Sequence, residues 1–175
     1  MPGRSSKASS SDPRKMSPTE HKGACLCKGV QYTLAGEPQT VVICHCPDCA
    51  ASGGSGFSVN AWYAKENVQV TAGADLLRTY EDIGRLTPDN TVLREFCSIC
   101  GSNVFGTAPQ RPESPVFVAV GTVIGDLGPE FTPKKEFYCL FRDKWMHPVD
   151  GASSDLSDIP FPLTKATWRE TETTS

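Results

Sequence analysis

The sequence predicts an all-β domain, and three observations carry that reading. Short apolar runs recur along the chain, either at period two or as brief β-branched stretches bounded by turn residues. No segment holds a helical periodicity over the length a stable helix needs. Seven of the eight cysteines fall into three tight clusters, Cys25-Leu26-Cys27, Cys44-His45-Cys46-Pro47-Asp48-Cys49 and Cys97-Ser98-Ile99-Cys100. Cysteines one or two residues apart read as metal knuckles, because a short turn aims both sulfurs at one point.

At 175 residues the chain has room for one domain with tails. A net charge of -3 leaves no polyanion footprint, so nucleic acid is not an expected partner. No apolar run is long enough to span a bilayer, so no membrane partner is expected either. The first residues are polar, Ser-rich and mildly basic, without the apolar centre of a secretory signal. A reducing, cytoplasmic setting is therefore expected, in which such clusters hold metal rather than disulfides.

Residues 1–20 read as a disordered tail with almost nothing to bury. Order is expected to begin near His21-Lys22-Gly23. Ala24 to Leu34 then reads as one strand, with Val30, Tyr32 and Leu34 at period two. Thr40 to Ile43 is a second strand running into Cys44. Ala50 to Gly56 is too glycine-rich for more than about one helical turn. Phe57 to Tyr63, Asn67 to Thr71, Leu76 to Tyr80, Val92 to Phe96 and Asn103 to Gly106 continue the series, with Gly101 placed where a positive φ closes the knuckle. Val116 to Val123 is the most apolar run and is expected to form one core strand. Phe137 to Phe141 is the last strand, with Trp145 packed down after it and residues 151–175 mostly unstructured. The ordered domain is thus 21–150.

Tetrahedral zinc with Zn–S bonds of about 2.3 Å sets its sulfurs roughly 3.8 Å apart. Pairing Cys25 and Cys27 with Cys97 and Cys100 gives a closed four-thiolate site that clips the first strand to the middle of the chain. Cys44, Cys46 and Cys49 remain. Three protein ligands mark an open site whose fourth corner admits water or substrate, and a small thiol suits that corner. Backbone N–H groups around Gly54 and Ser55 are candidates to cradle the added sulfur. The bland alternative is a second closed site completed by His45 or Cys139. His45 is expected to point to the opposite strand face, and Cys139 reads as an inert buried thiol. Asp48 has two readings, a general base and a turn-forming side chain. Tyr138 and Trp145 read as core, and His21 as tail.

Gly23-Ala24-Cys25-Leu26-Cys27, the central Cys44 to Cys49 motif with Gly-Ser soon after, and Phe96-Cys97-Ser98-Ile99-Cys100-Gly101-Ser102 resemble the glutathione-dependent formaldehyde-activating enzymes, a family also named for its centromere-protein-V relatives. The resemblance covers about residues 20–150, including Phe57-Ser58-Val59-Asn60 and Trp145. It implies a small β-tent of antiparallel sheets with two zinc ions at its edges. The implied structural zinc sits on Cys25, Cys27, Cys97 and Cys100, and the implied catalytic zinc on Cys44, Cys46 and Cys49. The implied activity is that of a carbon–sulfur lyase or synthase, joining formaldehyde to glutathione as S-hydroxymethylglutathione. The chain departs from the family pattern at Ala50, a position often basic, which bears on how an anionic thiol is held.

A reading of another class is a non-catalytic zinc module that binds a protein or polymer through its tails. Residues 1–22 hold Arg4, Lys7, Arg14, Lys15 and Lys22 against Asp12 and Glu20, a small basic excess that places the enzyme reading ahead.

Overall fold

The computed structural model describes residues 19–84 and 91–155; of the tails expected at 1–20 and 151–175, residues 1–18 and 156–175 lie outside the described residues. Two sheets account for the described chain. The strands are β1 (Glu20–Ala24), β2 (Gln31–Ala35), β3 (Thr40–Cys44), β4 (Ser58–Tyr63), β5 (Val68–Ala72) and β6 (Leu77–Asp82), then β7 (Val92–Cys97), β8 (Asn103–Thr107), β9 (Val116–Ala119), β10 (Val123–Ile124), β11 (Lys135–Phe137) and β12 (Ser153–Asp155). The smaller sheet runs β10-β1-β2-β5, and the larger runs β12-β11-β3-β4-β9-β8-β7-β6. Pairing is antiparallel except that β11 lies parallel to both β3 and β12.

The period-two reading of β2 holds: Val30, Tyr32 and Leu34 are buried, in one core with Val41, Ala61, Phe105 and Val118 of the larger sheet. Tyr32 meets Phe105 edge-on at 4.9 Å. Because alternate residues of a strand face opposite ways, register then sends a second set of side chains outward. Cys44 stands opposite Ser58, Asn60 opposite Ala119, and Trp62 opposite Phe117. Arg94 stands opposite Gly106, which itself pairs with Phe117. The outer face of the larger sheet is therefore where the chemistry-bearing residues gather.

Several expectations need correction. Cys25 to Gly29 is the hairpin loop between β1 and β2, not strand: the Lys28 N–H donates to the Cys25 carbonyl at 2.8 Å, with Lys28 at a φ of 60°. The one α-helix among the described residues, α1 (Pro47–Gly53), runs only about one turn into the glycine-rich segment, as its composition predicts. Its N-cap Cys46 accepts through sulfur from the Cys49 N–H, Pro47 occupies the first turn, and Gly54 closes it at a φ of 60°. The apolar run 116–123 breaks at a 3-10 turn over Val120–Thr122, so β9 serves the larger sheet and β10 the smaller. Thr122 holds the break, its hydroxyl donating to the Ala119 carbonyl at 2.7 Å and accepting from the Tyr32 hydroxyl at 2.6 Å.

The last strand ends early, at Phe137, where Tyr138 turns left-handed (φ 56°) into a 3-10 turn over Cys139–Phe141. Cys139 is consequently half-exposed, its thiol donating to the Glu136 carbonyl at 3.4 Å. Trp145 is 71% exposed rather than core. His21 belongs to β1 and meets Phe131 edge-on at 4.9 Å. Residues 153–155 form β12 on the parallel edge, so regular structure continues past 150.

Glu136 fastens that edge. It is 1% exposed and collects His45 Nε2 at 2.9 Å, Arg142 Nη1 at 3.2 Å and the Val149 N–H at 2.7 Å. Burial alone raises a carboxyl, but these donors outweigh it and hold Glu136 below its ordinary value. Glu136→Gln is expected to cost about 2–3 kcal/mol in urea denaturation at neutral pH, since Arg142 and His45 lose their anionic partner. A depressed folded-state pKa means that the wild type holds this increment in full above about pH 4.5. The gap to the variant should then close as pH falls through the folded-state value.

Candidate functional site

The three cysteine clusters condense into two groups of sulfurs, each mutually within 4.8 Å, and all eight cysteines are free thiols. The first group joins the β1–β2 hairpin loop to the β7–β8 hairpin loop. Cys25 and Cys27 sulfurs are 3.4 Å apart, and Cys27 and Cys97 sulfurs 3.8 Å, close to the roughly 3.8 Å of a tetrahedral zinc–thiolate set. The Val30 N–H donates to the Cys25 sulfur at 3.2 Å, and Cys100 is lowered to about 5, first by the Ser102 side chain 3.3 Å away. The second knuckle turns as the sequence predicts, with the Gly101 N–H on the Cys97 carbonyl at 2.8 Å and Gly101 at a φ of 73°. This donor set fits a closed metal site.

The second group is Cys44, Cys46 and Cys49. Cys44 ends β3, Cys46 caps α1, and Cys49 lies in its first turn, so a strand end feeding a helix start aims three sulfurs at one point. Tyr138 and Phe141 pack against this trio from the other side of the left-handed turn. The positive φ of a tyrosine costs roughly 1–3 kcal/mol and here delivers a ring to the sulfurs. His45 does not join them: it is fully buried, with Nε2 on Glu136. Cys139 belongs to neither group among the described residues. Donor type and spacing fit zinc at this site too, with three ligands rather than four.

Unlike the four-sulfur group, this trio lines an open cleft of about 1240 Å³ on the outer face of the larger sheet, beside Asp48, Ser55, Asn60 and Arg94. Asp48, nearly buried in the first turn of α1, forms part of that wall. The Gly54 and Ser55 N–H groups, expected to cradle a sulfur, are used to close α1 on Ala51 and Ala50. What Ser55 brings to the cleft is its side chain, bonded to the Phe57 carbonyl.

Arg94 escaped the sequence reading. From β7 it reaches across to Cys49, Nη2 to sulfur at 3.8 Å, while Nε and Nη2 hold Asp82 at 2.8 and 2.7 Å. The thiols differ accordingly. Cys44 is pushed well above the ordinary thiol value, first by the Cys46 and Cys49 sulfurs. Cys49 is held well below it, first by Cys44 and Cys46, then by the Arg94 charge, against the pull of burial. Only local motifs were legible in the sequence, and Arg94 lies 45 residues from Cys49. A cation thus reaches Cys49 from β7.

A family model described as glutathione-dependent formaldehyde-activating enzyme matches residues 20–140. The chain belongs to this family. Two relatives carry the same description provisionally. One, from Fusarium vanettenii, is 34% identical over 82 residues, which is 47% of this chain and 41% of that protein's length. The other, from Pyrenophora teres f. teres, is 26% identical over 153 residues, covering 77% of each. A crystal structure of a Rhodobacter sphaeroides protein aligns at 22% identity and a TM-score of 0.45, over 62% of this chain and 91% of that one. Among the described residues no helix is long and apolar enough to cross a membrane.

The two sulfur groups should respond differently to mutation. Cys97→Ser is expected to lose one equivalent of zinc and the cooperative unfolding transition, because a metal bridging the two loops would supply folding energy. Cys46→Ser is expected to lose the other equivalent and keep the wild-type circular dichroism spectrum. Elemental analysis beside thermal melts of both variants checks the pair.

Proposed function

We propose that this chain is a zinc-dependent carbon–sulfur lyase or synthase. Its substrates are a small thiol, with glutathione the first candidate, and an aldehyde of which formaldehyde is the smallest. The observation that carries the reading is the three-sulfur group opening onto a cleft next to a guanidinium. A metal with three protein ligands retains a place for a ligand from outside, whereas the four-sulfur group has none to offer. Family membership supports the same reaction class. In this account Cys25, Cys27, Cys97 and Cys100 hold a structural zinc, and Cys44, Cys46 and Cys49 hold the catalytic one.

Zinc bound by the trio lowers the pKa of a further thiol and favours it as thiolate at neutral pH. The protein's own part is to hold charge and protons. Three cysteinates already exceed the metal's charge, and an incoming thiolate adds to the excess; Arg94, fixed by Asp82, offsets it. The thiol sulfur attacks the carbonyl carbon, the C–S bond forms, and the carbonyl π pair moves to oxygen, which takes up a proton. We assign the transfer to Asp48, the buried carboxyl on the same wall, which takes the proton that the thiol loses and returns it to that oxygen. Cleavage is the reverse. Tyr138 and Phe141 pack against the sulfurs and cover part of the trio.

Exchange spectroscopy on formaldehyde and glutathione tests the reading, since the enzyme must speed interconversion with S-hydroxymethylglutathione above the spontaneous rate. Arg94→Gln is expected to lower kcat/KM about tenfold or more, the scale of one charge-assisted hydrogen bond of roughly 1.5–3 kcal/mol. An unaccelerated exchange by zinc-replete protein would send the chain to the non-catalytic module reading.

A further inference from the structure

The outer face of the larger sheet carries an aromatic track that begins at the sulfurs. Phe137 is the register partner of Cys44 across the β3–β11 pair. Trp62 lies 5.9 Å from Phe137 and 5.3 Å from Phe117, ring centroid to centroid. Register places Trp62 directly opposite Phe117 on the same face. All three rings are half-buried and line the same cleft as the trio. From β11 to β9 the track crosses three strand spacings of about 4.8 Å, enough for a substituent of one or two rings.

The size and charge of the cleft agree with such an occupant. About 1240 Å³ exceeds the roughly 300–1,000 Å³ of ordinary small-molecule sites, so the cleft has room for a substituent larger than one carbon beside the sulfur. The charged side chains around it are Asp48, Asp82, Glu113, Arg94 and Arg111, and Asp82 already takes up Arg94. A cleft of this kind gains little from further carboxylates and much from a flat apolar group.

We propose that the substrate is a thiol adduct whose carbon bears an aromatic ring, with the sulfur at Cys44, Cys46 and Cys49 and the ring along Phe137, Trp62 and Phe117. The sulfur end of this assignment rests on the proposed function; the ring end rests on the track alone. In the synthetic direction an aromatic aldehyde takes the thiol sulfur at its carbonyl carbon. The π pair goes to oxygen and the thiol proton ends there, giving a hemithioacetal without oxidant or reductant.

The test is a fluorescence titration of the zinc-replete full chain with S-methylglutathione, S-benzylglutathione and benzyl mercaptan. The benzyl conjugate is expected to bind about tenfold or more tightly than the methyl one, the gain from burying and stacking one ring. Trp62→Leu and Phe117→Leu should each reduce that ratio below about threefold while leaving S-methylglutathione affinity unchanged. Equal affinity of the two conjugates for the wild type overturns the assignment, as does a benzyl advantage untouched by both variants. A dimer in solution that buries Trp62 in place of ligand overturns it also. Tight benzyl mercaptan binding that needs Trp62, with neither conjugate bound, supports the track and removes glutathione as the thiol. Accelerated formaldehyde exchange with no benzyl preference removes the track and leaves the proposed function standing.

Discussion

Four sulfurs from two hairpin loops meet between the sheets, and the rest of the structure depends on that meeting. The β1–β2 loop belongs to the smaller sheet and the β7–β8 loop to the larger. Their strands are short, β10 has two residues, and the one α-helix among the described residues has seven, so little regular structure ties one sheet to the other. The apolar core supplies non-directional cohesion through Val30, Tyr32, Leu34, Val41 and Val118. The four sulfurs lie where the two loops face each other, beside the Leu26 N–H on the Ser102 hydroxyl at 3.0 Å, and a metal held there would fix that facing. With the inner face of the larger sheet committed to the core, its outer face is left for function.

That division is a consequence of strand periodicity. Alternate residues of β3 and β4 face the core, so Cys44, Ser58, Asn60 and Trp62 share the other side, and β7 adds Arg94 to it. The sheet thus lines up a sulfur group, a fixed cation and a row of rings without any of them being neighbours in sequence. Glu136 takes up Nε2 of His45, which lies between two candidate ligands in sequence and stays outside the sulfur group.

How much of this the sequence made legible depended on range. The clusters, Gly101 and the period-two burial of β2 are local signals found as read, and ligand number alone anticipated the grouping of the sulfurs into four and three. The errors arose where tertiary contacts override composition. Phe137-Tyr138-Cys139-Leu140-Phe141 has strand composition, yet packing of Tyr138 and Phe141 on the trio bends it out of the sheet. Val116 to Val123 reads as one apolar run yet serves two sheets in turn, with Thr122 as the pivot. Trp145 carried a hydrophobic prior that the fold does not honour. Arg94 gave no local sign of its role, since its partners Asp82 and Cys49 come from separate elements. The aromatic row was equally hidden, for Trp62, Phe117 and Phe137 meet only through strand pairing.

The account turns on one site being closed by protein and the other open to a thiol. Elemental analysis combined with X-ray absorption at the zinc edge, with and without glutathione, measures that difference directly. The account predicts two zinc ions per chain and an average sulfur coordination that rises on adding glutathione, with the gain lost in Cys46→Ser. Two zinc ions already saturated by protein sulfur and nitrogen, and indifferent to glutathione, would contradict it.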